Sequence, residues 1–188
     1  MAKASDIRNG LTIKHSNDIY KVTSFQHVKM GRGSGFYRCK LKSLTSGKVI
    51  EQSFNSSAKL ETVRVERRKF EYLYANGNAL VLMDLDSYEQ IELDKAIVDG
   101  VDIMIEGMEC EVLFNTANDS PLTVELPQYV IQTVKYTEPG VRGDTATNAQ
   151  KPAKLESGVE IKVPLFINEG DKVKVEVLTK KYVERVKK

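Results

Sequence analysis

The stretch Val28-Lys29-Met30-Gly31-Arg32-Gly33-Ser34-Gly35, running straight into Phe36-Tyr37-Arg38-Cys39-Lys40-Leu41-Lys42, decides how the rest of the chain is read. Three glycines at alternate positions, each free to take φ > 0, mark the tip of a hairpin rather than the inside of an element. Arg32 is the charge at that tip. A strand leaving the tip alternates, so Phe36, Arg38, Lys40 and Lys42 share one face while Tyr37, Cys39 and Leu41 share the other. Same-face neighbours stand about 6.6 Å apart, which makes the cations a ladder suited to a phosphate backbone. The stretch reads as a protruding finger with a cationic root, built to reach into RNA. Each cation taken singly also fits the wet face of a half-buried strand.

Upstream, Leu11-Thr12-Ile13-Lys14 and Ile19-Tyr20-Lys21-Val22 flank the polar turn Ser16-Asn17-Asp18, a strand–turn–strand pattern. Downstream, Thr45-Ser46-Gly47 turns the chain into Lys48–Phe54, so residues 1–64 read as about five short strands, closed economically as a small barrel. Val63-Arg64-Val65-Glu66 alternates and either closes that barrel or opens the next, with Arg67-Arg68-Lys69 marking the joint. Phe70, Tyr72 and Tyr74 share a face and are expected to fill a core, because their surroundings are too acidic for base stacking. Asn76-Gly77 signals a hairpin. Residues 94–104 fit a short helix broken near Gly100. Pro127 is the second joint, followed by a long alternating strand over 128–137, a glycine-bearing loop over 138–147, and further strands over 159–163, 172–177 and 182–186. The fold class is all-β: three small barrels over residues 1–64, 65–127 and 128–188, the last two of the oligonucleotide-binding (OB) type.

The net charge of +2 conceals three blocks. Residues 1–64 hold 12 Lys/Arg against 4 Asp/Glu, 65–127 hold 4 against 14, and 128–188 hold 12 against 8, giving +8, −10 and +4. Two basic ends facing a polyanion, with an acidic middle turned away or toward basic protein, fit this distribution. Cys39 and Cys110 are far apart in sequence, so neither a disulfide framework nor a zinc site is implied, and a reduced cytoplasm fits. No apolar run reaches the ~18 residues a membrane span requires, and the first residues do not form a secretory leader. The expectation is a soluble, cytoplasmic, monomeric protein.

An enzyme is not expected, nor a cofactor or metal. Gly31-Arg32-Gly33-Ser34-Gly35 runs into a strand where a dinucleotide-binding loop would open a helix. His15 and His27 lack metal-ligand partners at useful spacing, and Cys39 faces the barrel side of its strand.

Further motifs carry a resemblance: Val28-Lys29-x-Gly31-x-Gly33 with Arg38-x-Lys40-Leu41-Lys42, Leu44-Thr45-Ser46-Gly47, Tyr136-Thr137-Glu138-Pro139-Gly140-Val141-Arg142-Gly143-Asp144-Thr145-Ala146, Lys151-Pro152-Ala153, Val163-Pro164-Leu165-Phe166-Ile167 and Tyr182-x-x-Arg185-Val186. In this order and spacing the chain resembles the bacterial elongation factor P family over essentially its full length. The resemblance implies an SH3-like (KOW) barrel followed by two OB barrels in an L-shaped, tRNA-like molecule. It implies a factor that binds the 70S ribosome between the peptidyl-tRNA and exit sites and rescues stalls at consecutive prolines. The loop of Lys29, Met30, Gly31, Arg32, Gly33 and Ser34 would then reach the acceptor end of the P-site peptidyl-tRNA, with Arg38, Lys40 and Lys42 on RNA phosphates. Gly143, Asp144 and Thr145 fall on the family's loop that meets the E-site mRNA codon, with Tyr182 and Arg185 beside it. That motif separates the chain from the elongation factor P-like paralogue, which lacks it.

Two departures stand out. Most members have Lys at the tip, extended after translation in some, whereas Arg32 excludes lysylation. Some members with a tip arginine carry rhamnose on it, so Arg32 stands either bare or glycosylated, the latter adding a tip-arginine-modifying glycosyltransferase as a partner. Met30 replaces the usual Pro and removes a φ lock. An arginine keeps its charge at physiological pH and offers a flat fork of donors, so the finger would act by positioning the peptidyl-tRNA end while the ribosome does the chemistry. The competing reading is a free single-stranded RNA-binding module of the cold-shock kind.

Overall fold

The structure is a computed structural model that describes residues 2–29, 35–140 and 149–186. Their strands form three curled antiparallel sheets taken in chain order, so the all-β class holds. The first sheet contains β1 (Ala2–Lys3), β2 (Thr12–His15), β3 (Asp18–Val28), β4 (Phe36–Ser43), β5 (Val49–Asn55) and β6 (Lys59–Thr62), in the order β1-β6-β2-β3-β4-β5. The second contains β7 (Val65–Asn76), β8 (Ala79–Asp84), β9 (Gln90–Asp94), β10 (Met108–Asn115) and β11 (Ser120–Glu125), in the order β11-β10-β7-β8-β9. The third contains β12 (Tyr129–Thr137), β13 (Gln150–Leu155), β14 (Glu160–Pro164), β15 (Lys172–Glu176) and β16 (Lys181–Val186), in the order β14-β13-β12-β15-β16, with its two outer strands drawn together.

Period-two patterning builds each sheet. In β4, Cys39 and Leu41 are fully buried between exposed Arg38 and Lys40, so the alternation read from the sequence is the one observed. Tight turns carry the backbone signs that the sequence demands: Ser16 and Asn17 both sit at positive φ (47° and 65°), and Gly77 opens the β7–β8 turn at φ 57°. The second core gathers Phe70, Leu82, Val112 and Phe114 around a ring pair 5.9 Å apart. Each such side chain contributes about 1.5–3 kcal/mol on burial.

Several readings need correction. The run Arg67-Arg68-Lys69 lies inside β7, not at a joint. The strand break comes at Val63–Arg64, where the Val63 amide still donates to Thr12 in the first sheet while Val65 opens the second. Tyr74 is 48% exposed although Phe70 and Tyr72 are buried, because a bulge between Tyr72 and Tyr74 throws it off their face. The helix expected over 94–104 is two single 3₁₀ turns, Lys95–Ile97 and Val101–Ile103, separated by Gly100 at φ 78°. The left-handed backbone at Gly100 breaks the helix there, and the segment serves two cores: Ile97, Val98 and Met104 pack in the second, whereas Ile103 is buried in the third. β13 has no counterpart in the sequence reading, since Pro152 interrupts its pattern. Pro152 lies one residue past the last β12–β13 partner pair, Thr137 and Ala153, so its missing N–H disturbs no bond on that side.

The two junctions differ in kind. The second and third sheets share apolar packing through Ile103, Met108 and Leu126, and the buried Gln132 amide donates to the Ile103 carbonyl at 2.5 Å. The first sheet meets the second through polar contacts and a close backbone approach. Gly47 (φ 70°) ends the turn after β4, and a Cβ there would stand 2.7 Å from the Ala96 carbonyl oxygen. Gly47→Ala is therefore expected to cost at least about 1–2 kcal/mol from the left-handed backbone alone. It should also drive the first sheet off the second. Thermal unfolding and amide exchange around Ala96 measure both effects.

Candidate RNA interface

The cationic face of β4 is wider than one strand. Register sets Gln26 of β3 and Ser53 of β5 on either side of Arg38, and Ser24 and Glu51 on either side of Lys40. All six side chains are exposed. A bulge between Val22 and Ser24 creates this face: Val22 opposes buried Leu41, Thr23 is the extra residue with its hydroxyl on the Lys40 carbonyl (3.1 Å), and Ser24 opposes Lys40. The result is an exposed surface of guanidinium, ammonium, hydroxyl and amide donors beside one carboxylate, Glu51. Such donors grip phosphate and ribose oxygens. Lys40 is 3.8 Å from Glu51, both side chains more than half exposed, a pair weak enough to yield to a phosphate.

Lys29 is exposed just past the end of β3. Met30, Gly31, Arg32, Gly33 and Ser34 lie outside the described residues, as do Gly143, Asp144 and Thr145. Lys42 has a different surrounding from Arg38 and Lys40. Its ammonium is 2.5 Å from Asp99, with its side chain only 16% exposed, so it ties the first sheet to the second. Lys21, opposite Lys42 in the ladder, pairs with Glu125, which also accepts from Arg67 Nε at 3.2 Å. Lys21 and Lys42 thus serve the junction, whereas Arg38 and Lys40 are exposed.

At the far end of the chain, Tyr182 packs against the third core, where burial pushes its phenol above the ordinary range. Arg185 lies 3.6 Å from Asp171, with its guanidinium carbon 5.8 Å from the exposed Phe166 ring. Both cysteines are free and buried, and burial pushes their thiols up, Cys110 to about 12. At neutral pH they are apolar core groups, not thiolates. Among the described residues no cluster of ligands could hold a metal, and no helix is long and apolar enough to cross a membrane.

Sequence reasoning missed Ser24, Gln26 and Ser53, which reach the cationic face by register, and Glu125, which is 104 residues from its Lys21 partner. No local pattern signals either set.

Comparison with known proteins assigns the chain. Three family models match in order: the elongation factor P KOW-like domain over residues 3–60, the elongation factor P OB domain over 65–124, and the elongation factor P C-terminal domain over 130–185. A KOW-like sheet leading an OB sheet under these matches defines a translation elongation factor. The chain belongs to the elongation factor P family. It is 51% identical over 187 residues to elongation factor P of Flavobacterium psychrophilum and likewise to that of Flavobacterium johnsoniae, with 100% of both chains covered in each case. It is 46% identical to elongation factor P of Rhodococcus opacus, with 99% of each chain covered. Among solved structures, the eukaryotic translation initiation factor 5A from Methanococcus jannaschii shares the fold. Its TM-score is 0.51 at 21% identity, covering 65% of this chain and 92% of that one.

The Glu125 contacts generate a pH dependence. Burial alone would raise its pKa, but the Lys21 and Arg67 hydrogen bonds and charges outweigh that and hold the carboxyl below its ordinary value. A depressed folded-state value means the contribution is present at neutral pH, declines below the ordinary carboxylate range, and is gone once pH passes below the folded-state value. Glu125→Gln should remove it at neutral pH, costing about 1–3 kcal/mol. The variant's stability should also converge with the parent's in acid, as read by denaturant unfolding at a series of pH values.

Proposed function

We propose that this factor binds the 70S ribosome between the peptidyl and exit sites and accelerates peptide-bond formation at consecutive prolines. In this reading Arg32, with Lys29, Met30, Gly31, Gly33 and Ser34, meets the acceptor end of the peptidyl-tRNA. Arg38 and Lys40 hold RNA phosphates, and Gly143, Asp144, Thr145, Tyr182 and Arg185 meet the mRNA codon of the exit site. The L-shaped, tRNA-like outline implied by the family would let the two basic ends, residues 1–64 and 128–188, reach both places. Lys42 contributes by fixing the first sheet on its neighbour.

The observation that carries this reading is the exposed donor face around Arg38 and Lys40, set at the root of the loop that holds Arg32. It is exposed and rich in donors, with Arg38 and Lys40 at its centre, which suits a nucleic-acid backbone. The catalytic demand on the factor is modest. Holding two reactants in register is worth up to roughly 7–11 kcal/mol, and a fraction of that relieves a stall without any acid or base supplied by the protein.

Translation of a triple-proline reporter tests the tip: Arg32→Ala should lower the saturating stimulation by about ten-fold or more, equivalent to about 1.4 kcal/mol. Unchanged stimulation would remove Arg32 from the mechanism. Intact mass of the natively produced protein separates a bare from a rhamnosylated Arg32. Co-sedimentation with 70S particles carrying a P-site tRNA should weaken as salt rises. Replacing Arg38 and Lys40 with Gln should make that dependence shallower by about 1.4–1.8 in log–log slope. Equal binding to a naked oligonucleotide would favour the free RNA-binding module instead.

A further inference from the structure

The opposite face of the finger root carries rings. Register places His27 of β3 and Phe54 of β5 directly across from Tyr37. His27 stacks flat on Tyr37, with centroids 4.4 Å apart and planes 7° from parallel, and Phe25 leans on Tyr37 at 6.3 Å. Phe54 meets His15 edge-on at 5.7 Å, and His15 meets Tyr20 at 6.2 Å. The row runs from Tyr20 and Phe54, packed on the first core, out to Phe25 and His27, which are exposed.

This row does what a core cannot do there. Past Cys39 the ladder continues through Gln26/Arg38, His27/Tyr37 and Val28/Phe36, and none of these residues is fully buried. Tyr37 still touches the edge of the first core, but the strand ends beyond it bury nothing fully and depend on side-chain pairs across the strands. The polar face supplies little of that, since its donors face solvent. The fit at the end of the row is close: a Cβ on Gly35 would lie 2.8 Å from His27 Nε2 and 2.9 Å from the Val28 carbonyl oxygen. The Gly35 carbonyl in turn accepts from the Ser56 amide at 3.0 Å and from the Ser56 hydroxyl, which fastens it to the segment after β5. Both legs of the finger are therefore held before they reach the tip.

We propose that Tyr37, His27 and Phe25 are positioning residues, a ring clamp that fixes the direction in which residues 29–35 leave the first sheet. This rests on the function proposed above, in which Arg32 must arrive at a defined place. The clamp raises the rate on the bound ribosome, while affinity comes from Arg38, Lys40 and the contacts of the third sheet.

The test compares Tyr37→Leu with Tyr37→Phe in the full chain. Tyr37→Phe keeps the stack and should match the parent. Tyr37→Leu keeps an apolar side chain and removes the ring. It should abolish the upfield ring-current shift of the His27 protons and speed amide exchange at Val28 and Phe36 by about ten-fold or more. On the triple-proline reporter it should lower the saturating rate about ten-fold while the half-saturating concentration moves by less than about two-fold. Should Tyr37→Leu fail to fold, His27→Gln removes the stack from an exposed position and is read in the same way. Parent-like exchange and parent-like saturating rate in the stack-less variant would overturn the clamp. If the parent itself gives no stimulation, the proposed function fails, and exchange alone decides the clamp: protection lost with the ring sustains it, protection kept overturns it.

Discussion

A strand can bury only every second side chain, and in β4 that restriction organises the whole first sheet. Cys39 and Leu41 point inward, so Arg38 and Lys40 have no choice but to point out, and Tyr37 falls on the inner face at the edge of the core. One rule thus produces a donor surface on one side and an aromatic row on the other. The bulge at Val22 and Thr23 extends both across β3, because the added residue changes which β3 side chains join each face. Without it Phe25 and His27 would stand among the cations.

The charge blocks acquire a second meaning once the junctions are described. The acidic middle of the chain supplies Asp99 and Glu125, and the basic first block supplies Lys42 and Lys21 to meet them. Part of the contrast that suggests a polyanion partner is therefore spent inside the molecule. Of the other cations of that block, Arg38 and Lys40 stand exposed on the outer half of β4. The second and third sheets are joined differently, by Ile103 reaching into the next core and by Gln132 bonding back to it.

What was legible in the sequence was what depends on near neighbours. Alternation gave the faces of β4 and of β12 up to Val134, where a bulge turns Tyr136 outward. Ser16-Asn17 and Gly77 gave turns, and the lack of a helical period longer than two turns in residues 1–64 gave the strands of the first sheet. What was not legible depends on the register between strands or on a choice between two cores. Tyr74 obeys the period of its own strand until a bulge shifts it. The apolar residues of 94–104 look helical because two different cores draw on them from opposite sides. β13 hides behind Pro152, which is harmless only because of where its partner strand stops. Lys42 is indistinguishable from Lys40 in sequence, and only Asp99 separates their roles.

The unlike joints also determine how this architecture can be rebuilt. Two interdigitated cores cannot be exchanged independently, because each side chain crossing between them is cut to the other's shape. A seat made of two ammonium groups on two carboxylates, with a bare backbone at Gly47, asks far less of whatever sits on it. A foreign first sheet bearing cations at those two rungs, and no side chain at that turn, would seat on the same body. The first sheet is thus the part of the molecule most open to evolutionary replacement.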